Sequence, residues 1–426
     1  MAESIHYYKG VNIGDVHPYW DAKSETWYMY YLKSDGSFAS SLLLSKDMLN
    51  WEQKELTSRG ALAAYFVLGV QQAADGAYYS WYGSDMSMFS SKSEDLLHWT
   101  NPGSEYSIPM GYQTFISMRD PYVFFDEDVG VWRMICTAYR TNQLQGRGLG
   151  MKCALGIAST TGNTPTSWNA VDTALIEFPK GLEGEPECPQ MMKINNRWYI
   201  FASMARRHEN HVGRLSYFIG DEDKGIFEQD WNAKKEHFLT SEDLCAAQLS
   251  EGSDGIYLWG WIASNWNGGS WGGHLSLPLK INQNSDGTLA SELPAQISKK
   301  IRGKMITSGM NTVYGNFTRW DAMIHFSVET GQRANIHCAN GVIVLDDKNG
   351  IFAVAQNELL THVSYEMDPG RLEGKHMLRI IAEGNILEVF LDDKWALSAR
   401  MQTDVKCNCI FLENVADSEI EVYELN

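Results

Sequence analysis

Short runs of aromatic and β-branched residues, separated by Gly, Asp and Asn turns, dominate the first 300 residues. The runs are TWYMYYL (26–32), FASSLLLS (38–45), GAYYSWYG (76–83), YVFFDEDVGVWRMICTAY (122–139), RWYIFAS (197–203) and GIYLWGWIAS (255–264). Amphipathic helical patterns are scarce between them. Segments of this length bounded by turn residues are typical of an antiparallel sandwich, barrel or propeller. The chain is therefore predicted to be all-β.

An internal echo favours the propeller. The segment SKDMLNW (45–51) recurs as SEDLLHW (93–99), 48 residues later. That spacing is about the length of one four-stranded propeller blade. A looser version, STTGNTPTSW (159–168), also ends in Trp. Two similar surface turns arising by chance is the alternative interpretation.

The pattern changes near residue 300. Residues 281–305 are polar, contain a clear turn, and are interpreted as a connector. Beyond them, segments such as GVIVLDD, ILEVFLDD and EIEVYEL alternate apolar and polar residues, as strands with one solvated face do. We therefore predict two domains, residues 1–300 and a β-sandwich over residues 301–426.

Composition excludes several classes of partner. The formal net charge is −18, from 35 Lys and Arg against 53 Asp and Glu. Such a charge repels nucleic-acid phosphates and anionic lipid, whereas a neutral sugar is compatible with it. Aromatic residues make up 12% of the chain, which suits both β-sheet packing and stacking on sugar rings.

Cysteine usage and the N-terminal segment bear on the compartment. The seven Cys residues are irregularly spaced and are expected to be reduced thiols. The segment MAESIHYYKG lacks the basic-then-apolar pattern of a secretion signal. A cytoplasmic location is the resulting expectation.

Three acidic residues stand beside predicted strand starts: Asp15, Asp120 and Glu187. Strands that start around the central funnel of a propeller can bring such residues together from distant parts of the chain. Glycoside hydrolysis needs two carboxyl groups flanking the anomeric carbon, one ionised and one protonated. Taken singly, each acid is more typical of a turn or loop residue than of a catalytic one.

With the three acids taken together, the chain resembles glycoside hydrolase family 32, the invertases, inulinases and levanases. Arg119-Asp120-Pro121 is similar to the family's Arg-Asp-Pro motif, and Glu187-Cys188-Pro189 to its Glu-Cys motif. Asp15 stands where the Asp of the family's Trp-x-Asn-Asp-Pro-Asn-Gly motif stands. LSKDMLNWE (44–52), 276–294 and 387–401 also resemble family segments, so the likeness runs through nearly the whole chain. It implies a five-bladed β-propeller followed by a C-terminal β-sandwich.

The resemblance also implies roles for the residues. Asp15 would be the nucleophile that attacks the anomeric carbon of a fructosyl unit, and Glu187 the general acid and then base. Asp120 would hold ring hydroxyls and Arg119 would orient its neighbours. Cys188 would line the sugar site as a packing residue. A retaining pair of carboxyl groups lies about 5–5.5 Å apart.

The departures from the family fall at sugar-binding positions. Asn12 and Gly14 replace the motif's Trp and Asn, Leu32 replaces a Gln, and residues 66–69 lack both hydroxyls of a Phe-Ser-Gly-Ser stretch. Each lost hydrogen bond is worth about 0.5–1.5 kcal/mol. The candidates to replace these groups are His17, Trp20 and Gln71. Trp266 and Trp271 are candidates to rim the funnel and stack on a sugar, with simple packing as the equal alternative.

Two other motifs give weaker indications of function. His208 and His211 lie three residues apart without an evident third ligand, which favours a polar loop over a metal site. The Gly-rich stretch 265–274 lacks the Lys and Ser/Thr of a phosphate loop. We therefore expect no metal and no cofactor.

The first interpretation is a retaining β-fructofuranosidase acting on a small oligosaccharide. Three alternatives stay open: a fructosyltransferase or difructose-anhydride enzyme, an enzyme for another furanoside such as an arabinofuranoside, and a non-catalytic carbohydrate-binding protein. The sequence also leaves a homo-oligomer open.

Overall fold

A computed structural model describes residues 4–8, 10–34, 40–59, 69–84, 87–140, 153–178, 185–205, 213–264, 271–338, 341–357, 360–367 and 370–426. These residues form an almost entirely β structure, as predicted. Within them, no helix combines the length and apolar character needed to cross a membrane.

The strands of the first part are β1 (Ile13–Asp21), β2 (Thr26–Lys33), β3 (Ser40–Ser45), β4 (Glu52–Lys54), β5 (Thr57–Arg59), β6 (Val70–Gln72), β7 (Tyr78–Ser84), β8 (Ser87–Ser93), β9 (His98–Thr100), β10 (Ile108–Pro109), β11 (Phe115–Asp126), β12 (Val131–Arg140), β13 (Cys153–Ser159), β14 (Thr173–Phe178), β15 (Glu185–Ile194), β16 (Arg197–Ala205), β17 (Leu215–Ile219), β18 (His237–Phe238), β19 (Leu244–Glu251), β20 (Ile256–Ala263), β21 (Gly273–Leu275), β22 (Leu279–Gln283) and β23 (Leu289–Glu292). Short 3₁₀ helices span Ser104–Tyr106, Ile226–Glu228 and Trp231–Ala233.

After α1 (Ala295–Ile301) the strands are β24 (Arg302–Gly309), β25 (Thr312–Phe317), β26 (Arg319–Val328), β27 (Arg333–Cys338), β28 (Gly341–Asp346), β29 (Ile351–Asn357), β30 (Leu360–Glu366), β31 (Gly374–Glu383), β32 (Ile386–Leu391), β33 (Trp395–Arg400), β34 (Cys407–Glu413) and β35 (Ala416–Leu425). They form two six-stranded sheets, ordered β24-β35-β26-β31-β32-β33 and β25-β34-β27-β28-β29-β30. Apolar side chains from both sheets share one core, including Ile336 from one sheet and Ile380 from the other.

The described residues of the first part form four sheets. Strands β11–β14 and β15–β18 form two four-stranded antiparallel sheets, and β5 to β10 form a third sheet. The fourth runs β23-β22-β20-β21-β1-β2-β3-β4, with β19 paired to β20. The short strand β21 thus joins the last strands of this part to its first strands. Strands β11, β15, β19 and β1 lie side by side in that order, although they belong to different hydrogen-bonded units.

These four strands share one irregularity. Each has a β-bulge against its following strand, and within each bulge one non-glycine residue has a positive φ. The residues are Asp15 (29°), Asp120 (53°), Cys188 (48°) and Ala246 (43°). Non-glycine residues rarely adopt this backbone conformation, and bulges re-aim side chains. The repeated bulge therefore turns equivalent points of separate strands toward a common axis.

The echo between residues 45–51 and 93–99 is a repeated turn. The Ser45 hydroxyl oxygen accepts a hydrogen bond from the Met48 amide, and Ser93 accepts one from Leu96, each at 2.9 Å. Asp47 and Asp95 cap the following amides in the same way. The turns connect β3 to β4 and β8 to β9, so the echo marks equivalent places in two sheets rather than a chance match.

The interpretation of residues 281–305 as a plain connector was wrong in part. The segment contains the end of β22, then β23, α1 and the start of β24. Ile281, Leu289, Ile297 and Ile301 are buried in the core of the first part, and this apolar spacing was hidden among polar neighbours. The connections within it are the turn at residues 284–288 and the two residues 293–294.

A buried arginine ties the two parts together. Arg400, at the end of β33, donates hydrogen bonds to the carbonyl oxygens of Ile262 and Ala263, at 3.0 and 2.9 Å. Its backbone amide donates to Asp243 at 2.6 Å. The last two sheets therefore support β20, whose partner strand β21 begins just after Trp271.

Candidate active site

The bulges of β1, β11 and β15 bring the three predicted acids into one cavity. The cavity has a volume of about 530 Å³, and its walls include Asp15, Asp120 and Glu187 together with Arg119. The three acids lie far apart in sequence, so their meeting here depends on the fold and not on a local turn. The structure thus brings together the four residues that the sequence predicted as the centre of the site.

Arg119 organises the acids. Its guanidinium donates to Asp120 Oδ2 and to Glu187 Oε1, both at 2.6 Å. It also pairs with Glu185, and its Nε donates to the Tyr139 hydroxyl at 3.2 Å. Asp120 accepts a further hydrogen bond from the Cys188 amide at 3.1 Å. Asp120 and Glu187 are therefore held in fixed positions by one cation.

Asp15 lies apart from the guanidinium contacts. Its Oδ1 accepts a hydrogen bond from the Trp261 indole at 3.4 Å, and no ion pair holds it among the described residues. Burial, aided by the negative charges of Asp120 and Glu187, raises the pKa of Asp15 from 3.8 to about 7. Ionisation of the Asp15 carboxyl group is therefore disfavoured in this position. Once ionised, the carboxylate is a good nucleophile.

Glu187 is also biased toward its protonated form. Burial raises its pKa, and the Arg119 guanidinium only partly opposes that effect. Three carboxyl groups, those of Asp120, Glu185 and Glu187, pair with the Arg119 guanidinium, and the charges of Asp120 and Glu187 also act on the nearby Asp15. Keeping a proton within this group relieves the repulsion between like charges. The site can therefore present one ionised and one protonated carboxyl group to a substrate.

Trp271 occupies space that a side chain at position 14 would take. A Cβ on Gly14 would overlap the Trp271 ring. Asn12 donates to the Trp271 carbonyl oxygen at 3.1 Å, and the ring packs against Trp261, with centroids 5.5 Å apart. Two of the departures from the family motif, Asn12 and Gly14, thus serve to seat an aromatic wall beside Asp15.

The remaining predicted residues are distributed over two cavities. Cys188 and Trp271 line the acid cavity, and Cys188 is buried with a backbone carbonyl that accepts from Gln248 at 2.7 Å. His17 lines the acid cavity and also a second cavity of about 690 Å³. Trp20 and Gln71 line only the second cavity. Trp266, His208, His211 and residues 66–68 lie outside the described residues.

Three polar residues of the site were missed by sequence reasoning. Glu185 and Tyr139 contact Arg119, and Gln248 reaches the cavity wall from β19. Glu185 could have been found, because it stands two residues before Glu187 and so faces the same side of a strand. Nothing local in the sequence marks Tyr139 or Gln248.

Part of the chain matches a known protein family. Residues 86–292 match a family model described as the glycosyl hydrolases family 32 N-terminal domain. The predicted resemblance to glycoside hydrolase family 32 is confirmed. Asp120 and Glu187 fall inside the matched residues, whereas Asp15 precedes them. A search of curated proteins finds no match.

Solved family 32 structures share the fold. A β-fructofuranosidase from Bombyx mori superposes with a TM-score of 0.74 at 15% identity, and a sucrose-6-phosphate hydrolase from Lactobacillus gasseri with 0.73 at 14%. A β-fructofuranosidase from Aspergillus kawachii gives 0.72 at 13%. Each alignment covers 99% of this chain and 93% of the other. The fold is therefore a β-propeller with a β-sandwich. The family match of residues 86–292 supports a glycoside hydrolase.

Proposed function

We propose that this protein is a retaining glycoside hydrolase that cleaves a β-fructofuranosidic bond in a small oligosaccharide. The observation that carries the proposal is the meeting of Asp15, Asp120 and Glu187 in one cavity around Arg119. Among the described residues, Asp15 has no ion pair, whereas Glu187 is held by Arg119 and biased toward its acid form. This is the division of roles that glycoside hydrolysis requires.

Five four-stranded units are proposed for the propeller, over residues 1–300. Two are the four-stranded sheets β11–β14 and β15–β18, and a third is β6-β7-β8-β9 within the sheet of β5 to β10. The nine-stranded sheet would supply two more, β1-β2-β3-β4 and β19-β20-β22-β23, which β21 joins edge to edge. Residues 301–426 form the sandwich domain in this proposal. Closing the ring between its first and last units fixes β1, and with it Asp15, relative to β15.

In the first chemical step, an ionised Asp15 oxygen attacks the anomeric carbon of the furanosyl unit. Glu187 donates its proton to the glycosidic oxygen, so the bond from that oxygen to the anomeric carbon breaks and the aglycone leaves as an alcohol. The sugar is then an ester of Asp15. Glu187 is left as a carboxylate beside Arg119, whose guanidinium stabilises the new negative charge.

In the second step, Glu187 removes a proton from a water molecule that attacks the anomeric carbon. The Asp15 ester bond breaks and the free sugar is released with its configuration retained. If a sugar hydroxyl attacks in place of water, the same intermediate gives a transfer product. A fructosyltransferase from A. japonicus shares the fold, with a TM-score of 0.70 at 11% identity. Fructosyl transfer is therefore the second candidate activity.

Asp120 and Arg119 prepare this chemistry. Asp120 is fixed by Arg119 Nη1 and by the Cys188 amide, which leaves its other oxygen to accept hydrogen bonds from sugar hydroxyls. A bound sugar would also donate to Asp15 and thereby favour its ionised form. Substrate binding would then shift the shared proton to Glu187, where the leaving group needs it.

The altered subsite bears on the substrate. Leu32 lines the cavity where the family resemblance would place a Gln, and Trp271 forms a wall beside Asp15. An aromatic wall binds the C–H face of a sugar ring rather than its hydroxyl groups. We therefore propose a furanoside whose ring rests against Trp271, with a neutral oligosaccharide as its source.

A cytoplasmic location completes the proposal. None of the seven cysteines, all of which lie in the described residues, is in a disulfide bond. Chains that keep this many cysteines in the thiol form are typical of reducing compartments. An imported oligosaccharide would be the substrate available there.

Product analysis tests the proposed activity. The protein would be incubated with sucrose, short fructo-oligosaccharides and aryl arabinofuranosides, and the products resolved by chromatography and by NMR of the first-formed anomer. Hydrolysis with retention is the expected result for a fructoside. Longer or cyclic products would favour transfer, release of arabinose would change the sugar, and binding without turnover would contradict an enzyme.

Matched variants assign the activity to the site. Asp15→Asn and Glu187→Gln keep the size of each side chain and should each lower kcat by about a thousandfold or more. Glu127→Gln, at an exposed carboxyl in the second cavity, is the control and should leave turnover unchanged. Near-normal turnover in either site variant would refute the mechanism.

A further inference from the structure

Glu185 is a neighbour of the proposed general acid, Glu187. No sequence motif includes Glu185. It lies at the start of β15, two residues before Glu187, and both residues pair with β16 ahead of the bulge. Alternate residues of a strand face the same side, so the two carboxyl groups point the same way. Glu187 lines the acid cavity, whereas Glu185 is not part of its wall.

A single nitrogen atom of Arg119 serves both carboxyl groups. Arg119 Nη2 donates to Glu187 Oε1 at 2.6 Å and also to Glu185. Each guanidinium nitrogen of this kind carries two hydrogens, so one goes to each acid. Glu187 therefore receives one hydrogen bond from Arg119, where an isolated pair could form the stronger two-bond fork.

Tyr139 locks Glu185 in this position. Its hydroxyl donates to Glu185 and accepts a hydrogen bond from Arg119 Nε at 3.2 Å. Arg119, Tyr139 and Glu185 thus form a closed ring of hydrogen bonds behind the cavity. Tyr139 is almost wholly buried, with 2% of its surface exposed, so the ring is fixed by the packing of β12.

We propose that Glu185 is a positioning residue that divides the Arg119 charge and so keeps the proton on Glu187. Without Glu185, Arg119 Nη2 would be free to pair fully with Glu187 and would stabilise its carboxylate. With Glu185 in place, part of the cation is neutralised from behind, and a second negative charge stands close to Glu187. This inference rests on the proposed role of Glu187 as the general acid.

The electrostatic pattern agrees with this geometry. Burial raises the pKa of Glu187, the Arg119 charge lowers it, and the charges of Asp120 and Glu185 raise it. Burial and the charges of Asp120 and Glu187 chiefly raise the pKa of Asp15, Trp261 and Arg119 lower it, and Glu185 is not among these main influences. A change at Glu185 should therefore reach the acid while leaving the nucleophile almost unaffected.

The test is the pH dependence of kcat/KM in Glu185→Gln. The amide keeps an oxygen for Tyr139 and Arg119 but removes the charge. Turnover requires Asp15 ionised and Glu187 protonated, so lowering the pKa of Glu187 reduces activity only at alkaline pH. We expect the ratio of variant to wild-type kcat/KM to be close to one on the acidic limb and to fall about tenfold on the alkaline limb.

A merely structural role would lower kcat/KM equally at every pH. A ratio that is constant across the profile, or that rises with pH, would overturn the proposal. Glu185→Asp keeps the charge and should preserve the wild-type profile shape even if the rate drops. Tyr139→Phe serves as the control for disturbance of the ring without removal of a charge.

A substrate-free measurement separates this inference from the proposed function. Carboxyl ¹³C titration of Glu187, assigned with Glu187→Gln, should show its pKa falling in Glu185→Gln. If no furanoside is turned over but this shift is seen, the positioning role stands and the activity is wrong. If turnover is seen but the pKa of Glu187 does not change, the positioning role is refuted alone.

Discussion

Replacing Asp15 by Asn should make the protein inactive and more stable at once. The Asn side chain has the size of Asp and keeps an oxygen for the Trp261 indole, whose hydrogen bond to Asp15 is 3.4 Å long. The substitution removes a carboxyl group whose ionised form is disfavoured by burial and by two neighbouring acids. The loss of activity follows from the loss of the nucleophile.

The size of the stability gain follows from the pKa. The pKa of Asp15 rises from 3.8 in the unfolded chain to about 7 in the folded protein. At about 1.4 kcal/mol per pKa unit, this corresponds to roughly 4 kcal/mol of unfavourable free energy at pH 7. Because Asp15 also contacts solvent in the cavity, we expect about half of this, roughly 2 kcal/mol.

The stability gained in Asp15→Asn depends on pH, because folding raises the pKa of Asp15. Below the unfolded pKa of 3.8 the carboxyl group is protonated in both states, and Asn gives no advantage. Between pH 4 and pH 7 the unfolded state ionises first, so wild-type stability falls relative to the variant. Urea denaturation of Asp15→Asn and wild type at pH 4.5 and pH 7.5 measures the difference. Equal stabilities at pH 7.5, or a gain that is the same at both pH values, would refute the reasoning.

The remaining predictions concern the aromatic wall and the N-terminal segment. Gly14→Ala should displace Trp271, lowering kcat/KM about tenfold and stability by about 1–3 kcal/mol. The control Gly162→Ala, at a position that faces open space, should change neither. Normal kinetics in Gly14→Ala would contradict a role for Trp271 as a wall of the sugar site. His6 is buried between Glu383 and Glu388, at 3.0 and 2.7 Å, and its pKa is raised to about 9. His6→Gln should therefore cost about 3 kcal/mol at pH 6 and progressively less up to pH 9.5 in denaturation curves, and a loss independent of pH would argue against the buried ion pair.

The acids were predictable from sequence because their neighbours are informative. Asp120 sits in Arg-Asp-Pro and Glu187 in Glu-Cys-Pro, although both lie inside strands, β11 and β15, and not just ahead of them as expected. The repeated Ser-x-Asp turn was also readable, since its hydrogen bonds are made within four residues of chain. Local patterns of this kind carry their own structural information.

The surroundings of the acids were not predictable, because they depend on strands far apart in sequence. Trp271 lies beside Gly14, although more than 250 residues separate them in the chain. A glycine at position 14 reads only as a lost side chain until the ring that fills its place is seen. Trp20 and Gln71 were expected beside the acids, but the strands carry them to the second cavity.

The positive φ at Asp15, Asp120 and Cys188 was equally hidden. None of these residues is glycine, so the sequence gives no sign of a left-handed backbone. The conformation is maintained by the strands on either side, and it is what directs the acids inward.

Trapping of the covalent intermediate is the most direct test of Asp15 as the nucleophile. Glu187→Ala would be mixed with a fructofuranosyl donor whose leaving group needs no protonation, such as the fluoride, and digested for mass spectrometry. The account predicts a single anhydrohexose adduct on the peptide that contains Asp15, and none in Asp15→Asn/Glu187→Ala. An adduct on Asp120 or Glu185, or rapid turnover with inversion and no adduct, would contradict it.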